Sequence, residues 1–154
     1  MKLKVKKLHP LAIIPKYQTE GAVCFDLHAF IVHDDWGQES TSEKRVVNGF
    51  PCVVRTGLSF EIPEDHVMLV FPRSGLAFKE CVTMLNCTGV IDSDYRGEVR
   101  VLLEKRGDND TSTIKHGDRI AQAMIVPIPV VVLEEVEELS STERGTGGYG
   151  STGR

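Results

Sequence analysis

The sequence predicts an all-β sandwich or barrel with one short helix, and three observations carry that expectation. From Phe50 onward, strand signals recur about every 8 to 12 residues. Helix-period stretches are almost missing. The 154-residue chain is long enough to bury one core without disulfides or a second domain.

Taken in order, Leu3 and Val5 alternate with lysines 2, 4, 6 and 7 as a partly exposed first strand, the lysines guarding a sheet edge. Residues 21–29 form a second strand in which Phe25, Leu27 and Ala29 face inward while Asp26 and His28 face out. Residues 33–48 are polar and without period and read as a surface loop around Trp36. The strand expectations that follow are residues 52–54, 58–62, 67–71, 82–87, 99–103, 120–128 and 130–133. Between them, Ser74 is placed to N-cap a short helix over residues 74–80, after Pro72.

In the 99–103 strand, Val99, Val101 and Leu103 point inward, while Glu98, Arg100 and Glu104 point out. Residues 113–118 read as a polar turn. The continuous apolar run of 120–128 implies a strand covered on both faces, and Pro127 and Pro129 place its end at an edge or a crossing between sheets. A β-rich core over residues 1–133 is thus followed by residues 134–154, an acidic linker and a glycine-rich arm too poor in apolar surface to order itself.

Composition narrows the function. A formal charge of −4 made of both signs marks no basic face for a nucleic-acid polymer. No apolar run nears the roughly 18 residues of a membrane span. Cys24, Cys52, Cys81 and Cys87 form no Cys-x-x-Cys, no secretory segment opens the chain, and the five histidines lack metal-ligand spacing. The cysteines read as reduced core residues in a cytoplasmic setting, or in a host cytoplasm or nucleus.

Residues 89–99, Gly-Val-Ile-Asp-Ser-Asp-Tyr-Arg-Gly-Glu-Val, read as a hairpin with chemistry at its tip, since carboxylates and turn residues stand between two apolar runs. Arg73, Ser74 and Gly75 sit at the helix start, where free amides suit phosphate. Gly145-Thr-Gly-Gly-Tyr-Gly150 satisfies G-x-G-x-x-G, yet the chain ends four residues later, so the helix of a dinucleotide-binding turn is missing. Arg144 beside it offers a planar phosphate donor.

Five stretches together, Phe25-Asp26-Leu27, Pro-Arg-Ser-Gly-Leu-Ala at 72–77, the 89–99 hairpin, Gly-Asp-Arg-Ile-Ala-Gln at 117–122 and Arg-Gly-Thr-Gly-Gly-Tyr-Gly-Ser-Thr-Gly at 144–153, resemble the trimeric dUTPase family. The resemblance implies a jelly-roll-like homotrimer that converts dUTP and water to dUMP and pyrophosphate, keeping uracil out of DNA and supplying dUMP for thymidylate synthesis. It assigns Ser74, with Arg73, Gly75, Gln122 and Arg144, to the triphosphate. Asn86 and the Val90-Ile91-Asp92 backbone take uracil, Tyr95 excludes a 2′-hydroxyl, and Arg100 reaches toward the substrate. Tyr149, where most relatives carry phenylalanine, covers the base with Gly150. Asp92 holds the attacking water as general base. Mg2+ rides on the triphosphate, and Asp26 reaches it through water. Each site takes its phosphate motifs, hairpin and tail from three different subunits. Two alternatives stand beside this: a dCTP deaminase-like enzyme of the same fold, and a regulatory protein binding a protein partner through the 33–48 loop. The Asp-Ser-Asp-Tyr-Arg-Gly stretch and the tail favour the hydrolase.

Overall fold

The computed structural model describes residues 1–32, 43–107, 111–148 and 151. Strands β1 (Lys4–Lys7), β2 (Phe25–His28), β3 (Glu43–Val47), β4 (Cys52–Arg55), β5 (Leu58–Glu61) and β6 (His66–Phe71) precede the helix α1 (Ser74–Glu80). After it come β7 (Val82–Met84), β8 (Gly89–Ile91), β9 (Arg100–Lys105), β10 (Thr111–Lys115) and β11 (Arg119–Pro127). They form a four-stranded sheet in the order β2-β11-β6-β8, a three-stranded sheet β4-β9-β7, and the two-stranded ribbons β1-β5 and β10-β3. Every pairing between these strands is antiparallel.

The core lies between the sheets, filled by strands such as β6, β9 and β11 that send apolar residues to it. Leu27, Leu58, Met68, Val101, Leu103 and Ile120 are fully buried. In β9, Val101 and Leu103 point inward as the alternation predicts, and Lys105 follows them into the interior. The ammonium of Lys105 is satisfied there, since Nζ donates to Glu80 O (2.7 Å) at the C-terminus of α1. The helix end is a favourable place for a cation. The helix then closes on Cys81 in the left-handed region (φ 51°), whose N–H bonds to Ala77 O.

Several expectations are corrected. Residues 43–47 of the expected 33–48 loop form β3, and the expected turn at 113–118 is largely strand β10. The two pair over five residues, Val46 opposite Ser112 and Lys44 opposite Ile114, so each polar ribbon strand contributes one fully buried apolar side chain, Val46 or Ile114. The turn itself is confined to residues 116–118, where Gly117 takes φ +85° and Asp118 Oδ2 accepts from Lys115 N at 2.7 Å. Trp36 and the rest of that loop lie outside the described residues.

Residues 130–133 form no strand, and Val130 and Leu133 are 90% and 93% exposed. Pro127 and Pro129 remove ladder donors at the start of the segment, and among the described residues no strand pairs with it. The cysteines are not core either. Cys24 and Cys52 are half-buried, and Cys81 and Cys87 are exposed.

Candidate active site

The central strand β11 is paired on one side with β2 and on the other with β6, so residues from distant parts of the chain share one end of the sheet. Gln122 is opposite both Asp26 and Phe71. This register brings the 21–29, 72–77 and 117–122 stretches to one place. Together they line a cavity of about 240 Å³ whose walls include Gln18, Asp26, Arg73, Ser74, Arg119 and Gln122.

Asp26 does not face solvent as the alternation predicted; its side chain is 8% exposed. It is buried because two guanidiniums neutralise it: Arg73 Nε stands 2.8 Å from Oδ1 and Arg119 Nη1 3.2 Å from Oδ2. Arg73 Nη1 also donates to Arg119 O (3.1 Å), tying the start of α1 to β11. Gln122 Nε2 donates to Pro72 O (3.0 Å), a second strap on the same turn. One carboxylate facing two arginines leaves the cavity with a local excess of positive charge, suited to an anion. Asp118 serves the turn before β11, and Arg119 serves the ion pair with Asp26.

Ser74 is the first residue of α1 rather than its cap. Arg73 holds the cap position in extended backbone (φ −101°, ψ 129°), and no side chain bonds the first-turn amides. Ser74 and Gly75 are exposed on the cavity wall. Burial and the neighbouring Asp26 both push the Cys24 thiol pKa up, so this cavity-lining sulfur is a neutral thiol and no nucleophile. Burial pulls the His28 pKa down against the attraction of Asp26, assisted by Arg119, Arg73 and Lys16.

The 89–99 stretch behaves differently from a simple hairpin. β7 and β9 do pair, Val82 with Lys105 and Met84 with Leu103. The segment between them leaves that sheet, and β8 adds to the four-stranded sheet through Gly89 opposite Val70 and Ile91 opposite Met68. As the last strand of that sheet, β8 keeps one backbone edge outside the ladder. Asn86 is in the turn leading into β8, with Nδ2 donating to Thr88 O at 3.3 Å, and Val90 and Ile91 are on the strand. Asp92, immediately after it, is exposed, and its carbonyl accepts from Tyr95 N (3.2 Å) in a turn.

The base of this loop is anchored by a residue expected to face solvent. Glu98 is buried, its Oε1 accepting from Gly57 N (2.8 Å) and its Oε2 from Arg55 Nε (2.9 Å). Arg100 Nε reaches the same Oε2 at 3.3 Å, so Arg100 serves this ion pair. Thr56 Oγ1 donates to Val99 O (2.6 Å) and Ser59 Oγ to Arg96 O (2.7 Å). No local period announces these straps, because they join residues about 40 positions apart. The only hint in the sequence is a glutamate directly before an apolar alternation that has an arginine on its outer face.

In the tail, Arg144 Nε donates to Gly147 O at 2.9 Å, and Arg144 is not part of the cavity wall. Tyr149 and Gly150 lie outside the described residues. Among the described residues no group of three or more His, Cys, Asp or Glu side chains is placed to hold a metal ion.

The dUTPase family model matches residues 11–153. The chain belongs to the dUTPase family. A deoxyuridine 5′-triphosphate nucleotidohydrolase of Nautilia profundicola is 49% identical over 154 residues, covering all of both chains. That of Caulobacter vibrioides is 48% identical over 140 residues, 91% of this chain and 85% of the relative. Among solved structures, the Staphylococcus bacteriophage 80alpha dUTPase G164S mutant with dUpNHpp aligns at a TM-score of 0.78 with 26% identity, covering 99% of each chain. The strands and short helix described above are therefore the jelly-roll-like dUTPase fold.

Proposed function

We propose that this chain hydrolyses dUTP to dUMP and pyrophosphate in sites shared between copies, each formed by the phosphate cavity of one subunit and the β8 loop of another. The curated relatives that cover the chain end to end are named for this nucleotidohydrolase activity, which favours it over a dCTP deaminase.

The observation that carries the sharing is the register of β6. Asp92 continues β8 past Ile91, which is opposite Met68, while Ser74 lies beyond Phe71 at the other end of the same strand. At about 3.3 Å per residue, the stretch of β6 from Val67 to Phe71 alone spans about 13 Å. A general base and a group bridging the α and β phosphates must touch neighbouring atoms, so one chain does not bring its own pair together. A second copy supplies the missing half, and a homotrimer closes the arrangement without leaving an unused interface. The exposed apolar residues Val130, Val132 and Leu133 support such an assembly, since a surface of this kind is normally covered.

Within each site, the free edge of β8 at Val90 and Ile91 pairs with the edge of uracil, with Asn86 alongside. Cytosine, with donor and acceptor exchanged at its 4 position, is refused. Tyr95 packs against the deoxyribose. The amides of Ser74 and Gly75, the guanidinium of Arg73 and the amide of Gln122 receive the triphosphate. Arg144, Tyr149 and Gly150 of the arm close over it and exclude water. Asp92, whose carboxylate is exposed, takes the proton from the water that attacks the α phosphorus, and pyrophosphate leaves.

The substrate is the magnesium complex of the triphosphate. Carried on the triphosphate, magnesium would supply charge neutralisation for the leaving group. Asp26 fits a contact through water, because each of its oxygens has one arginine partner and a carboxylate offers about four lone-pair positions.

Subunit complementation tests the reading. Ser74→Ala and Asp92→Asn chains are each expected to lose about 10² to 10⁴ in turnover. Unfolded together in equal amounts and refolded, they are expected to regain about a quarter of the wild-type pyrophosphate release, since half of the cavities and half of the loops at each site are intact. No recovery from a mixture that forms wild-type-sized particles would place each site within one chain. Little release from dUTP by the unaltered protein would overturn the activity itself.

A further inference from the structure

Tyr95 folds back over its own loop. Its hydroxyl donates to Glu98 O at 3.1 Å, so the ring passes directly above Gly97. A Cβ built on Gly97 would stand 2.4 Å from the tyrosine oxygen, 2.5 Å from Cζ and 2.9 Å from Cε2, closer than any real contact of that kind. Gly97 is not among the glycines with a left-handed backbone, so the chain there accepts any L-residue. The three atoms nearest that Cβ all belong to the tyrosine, so it is the Tyr95 side chain that demands a glycine.

The backbone on both sides is fixed. Arg96 Nη1 donates to Ser93 O (2.6 Å) and Tyr95 O (3.1 Å). Arg96 O accepts from Ser59 Oγ, and Glu98 is bound by Gly57 N and Arg55. Tyr95 itself is 45% exposed, with open space beside it. A methyl group on residue 97 therefore displaces the free end of the tyrosine side chain, not the strapped loop.

We propose that Gly97 is a specificity-determining residue: by letting Tyr95 lie flat and anchor its hydroxyl on Glu98 O, it sets the plane of the ring that excludes a 2′-hydroxyl. This rests on the reading of Tyr95 as the residue that packs against the sugar. Gly97 touches no substrate and acts through Tyr95, so its signature is a change in substrate preference without loss of the chemical step.

The test compares dUTP and UTP by kcat/KM for the full-length enzyme and for Gly97→Ala, Tyr95→Ala and the double variant. Gly97→Ala is expected to shrink the dUTP preference at least about tenfold, mainly through KM, while kcat for dUTP changes by only a few-fold. The double variant should be no less selective than Tyr95→Ala, because the two substitutions remove one interaction. Tyr95→Phe, which deletes only the hydroxyl anchor, carries the same test should Gly97→Ala yield no soluble protein, and it should narrow the preference in the same direction. If Tyr95→Ala loses selectivity while Gly97→Ala keeps it, the role of Gly97 is refuted and that of Tyr95 stands. If no variant changes the ratio, the sugar-packing role of Tyr95 falls and that of Gly97 with it.

Discussion

Replacing Asp26 by Asn isolates the charge that holds the phosphate cavity together. The substitution keeps the size of the side chain and one acceptor oxygen but removes the counterion of Arg73 and Arg119. Charges about 4 Å apart interact by about 4 kcal/mol at an effective dielectric constant near 20, before desolvation is subtracted. The two pairs are not equal. The Arg119 side chain is 45% exposed, so solvent screens its share to under about 1 kcal/mol. Arg73 is 22% exposed against a carboxylate at 8%, and its pair falls between a surface bridge and a fully buried one. Loss of one charge-assisted hydrogen bond there costs about 1.5 to 3 kcal/mol. The sum is about 1.5 to 4 kcal/mol, read as a lower urea midpoint with unchanged slope, at one protein concentration so that any assembly contributes equally. Pyrophosphate release should fall with it, since Arg73 loses the tether that aims it into the cavity. A variant within about 0.5 kcal/mol of the wild type would mean that Asp26 does not brace the arginines and that the cavity is held by the straps from Arg73 to Arg119 O and from Gln122 to Pro72 O.

Two further outcomes follow from other parts of the chain. Among the described residues the buried His28 Nδ1 has no hydrogen-bond partner, and burial holds its pKa below the ordinary 6.5. The unfolded chain therefore takes up a proton near pH 6.5 that the folded chain refuses, and stability falls as pH drops from there through the folded value. His28→Gln should flatten that part of the urea-midpoint profile between pH 5 and 7.5, and an unchanged slope would assign it to other groups. A chain stopped after Glu143 should keep its particle size by light scattering, because the apolar strands end with β11, yet lose at least about tenfold in pyrophosphate release as Arg144 and Tyr149 go; full activity would show that the arm does not close.

What the sequence revealed and what it hid divide along one physical line. The alternation of β9, the continuous apolar run of β11 and the brevity of α1 were legible because they are local, fixed by side-chain pattern and by residues such as Pro72. β3 and β10 were missed because each is mostly polar and gives a strand signal only once the other is beside it. Residues 130–133 misled in the opposite way: they have strand composition but no neighbour in the chain to pair with. Asp26 and Glu98 were placed outside by the same alternation rule, which counts faces and is blind to partners. A buried carboxylate is tolerated when guanidiniums or amides meet it, and those come from residues far along the sequence, Arg119 for Asp26 and Arg55 with Gly57 for Glu98. The roles assigned to Asp92, Tyr95 and Tyr149 came only through the resemblance, since a short Asp-Ser-Asp or a glycine tail has no period to read.

The two carboxylates that matter most to the 89–99 loop differ in surroundings, and the difference assigns their work. Glu98 is bound at both oxygens and anchors the loop to the residues just before β5, so its loss would be felt first in folding. Asp92, six residues earlier, is exposed, with only its backbone carbonyl engaged in the turn. A group meant to exchange a proton with water must keep its lone pairs open to that water, and a group meant to fix a loop must not. The rigid base and the open tip are therefore one device. Because β8 leaves the β7-β9 sheet to join β6, the tip is carried to the margin of the four-stranded sheet and presented outward, away from its own phosphate cavity. A loop so firmly strapped has little freedom to fold back over that cavity, which favours the proposal that a second copy of the chain completes the site.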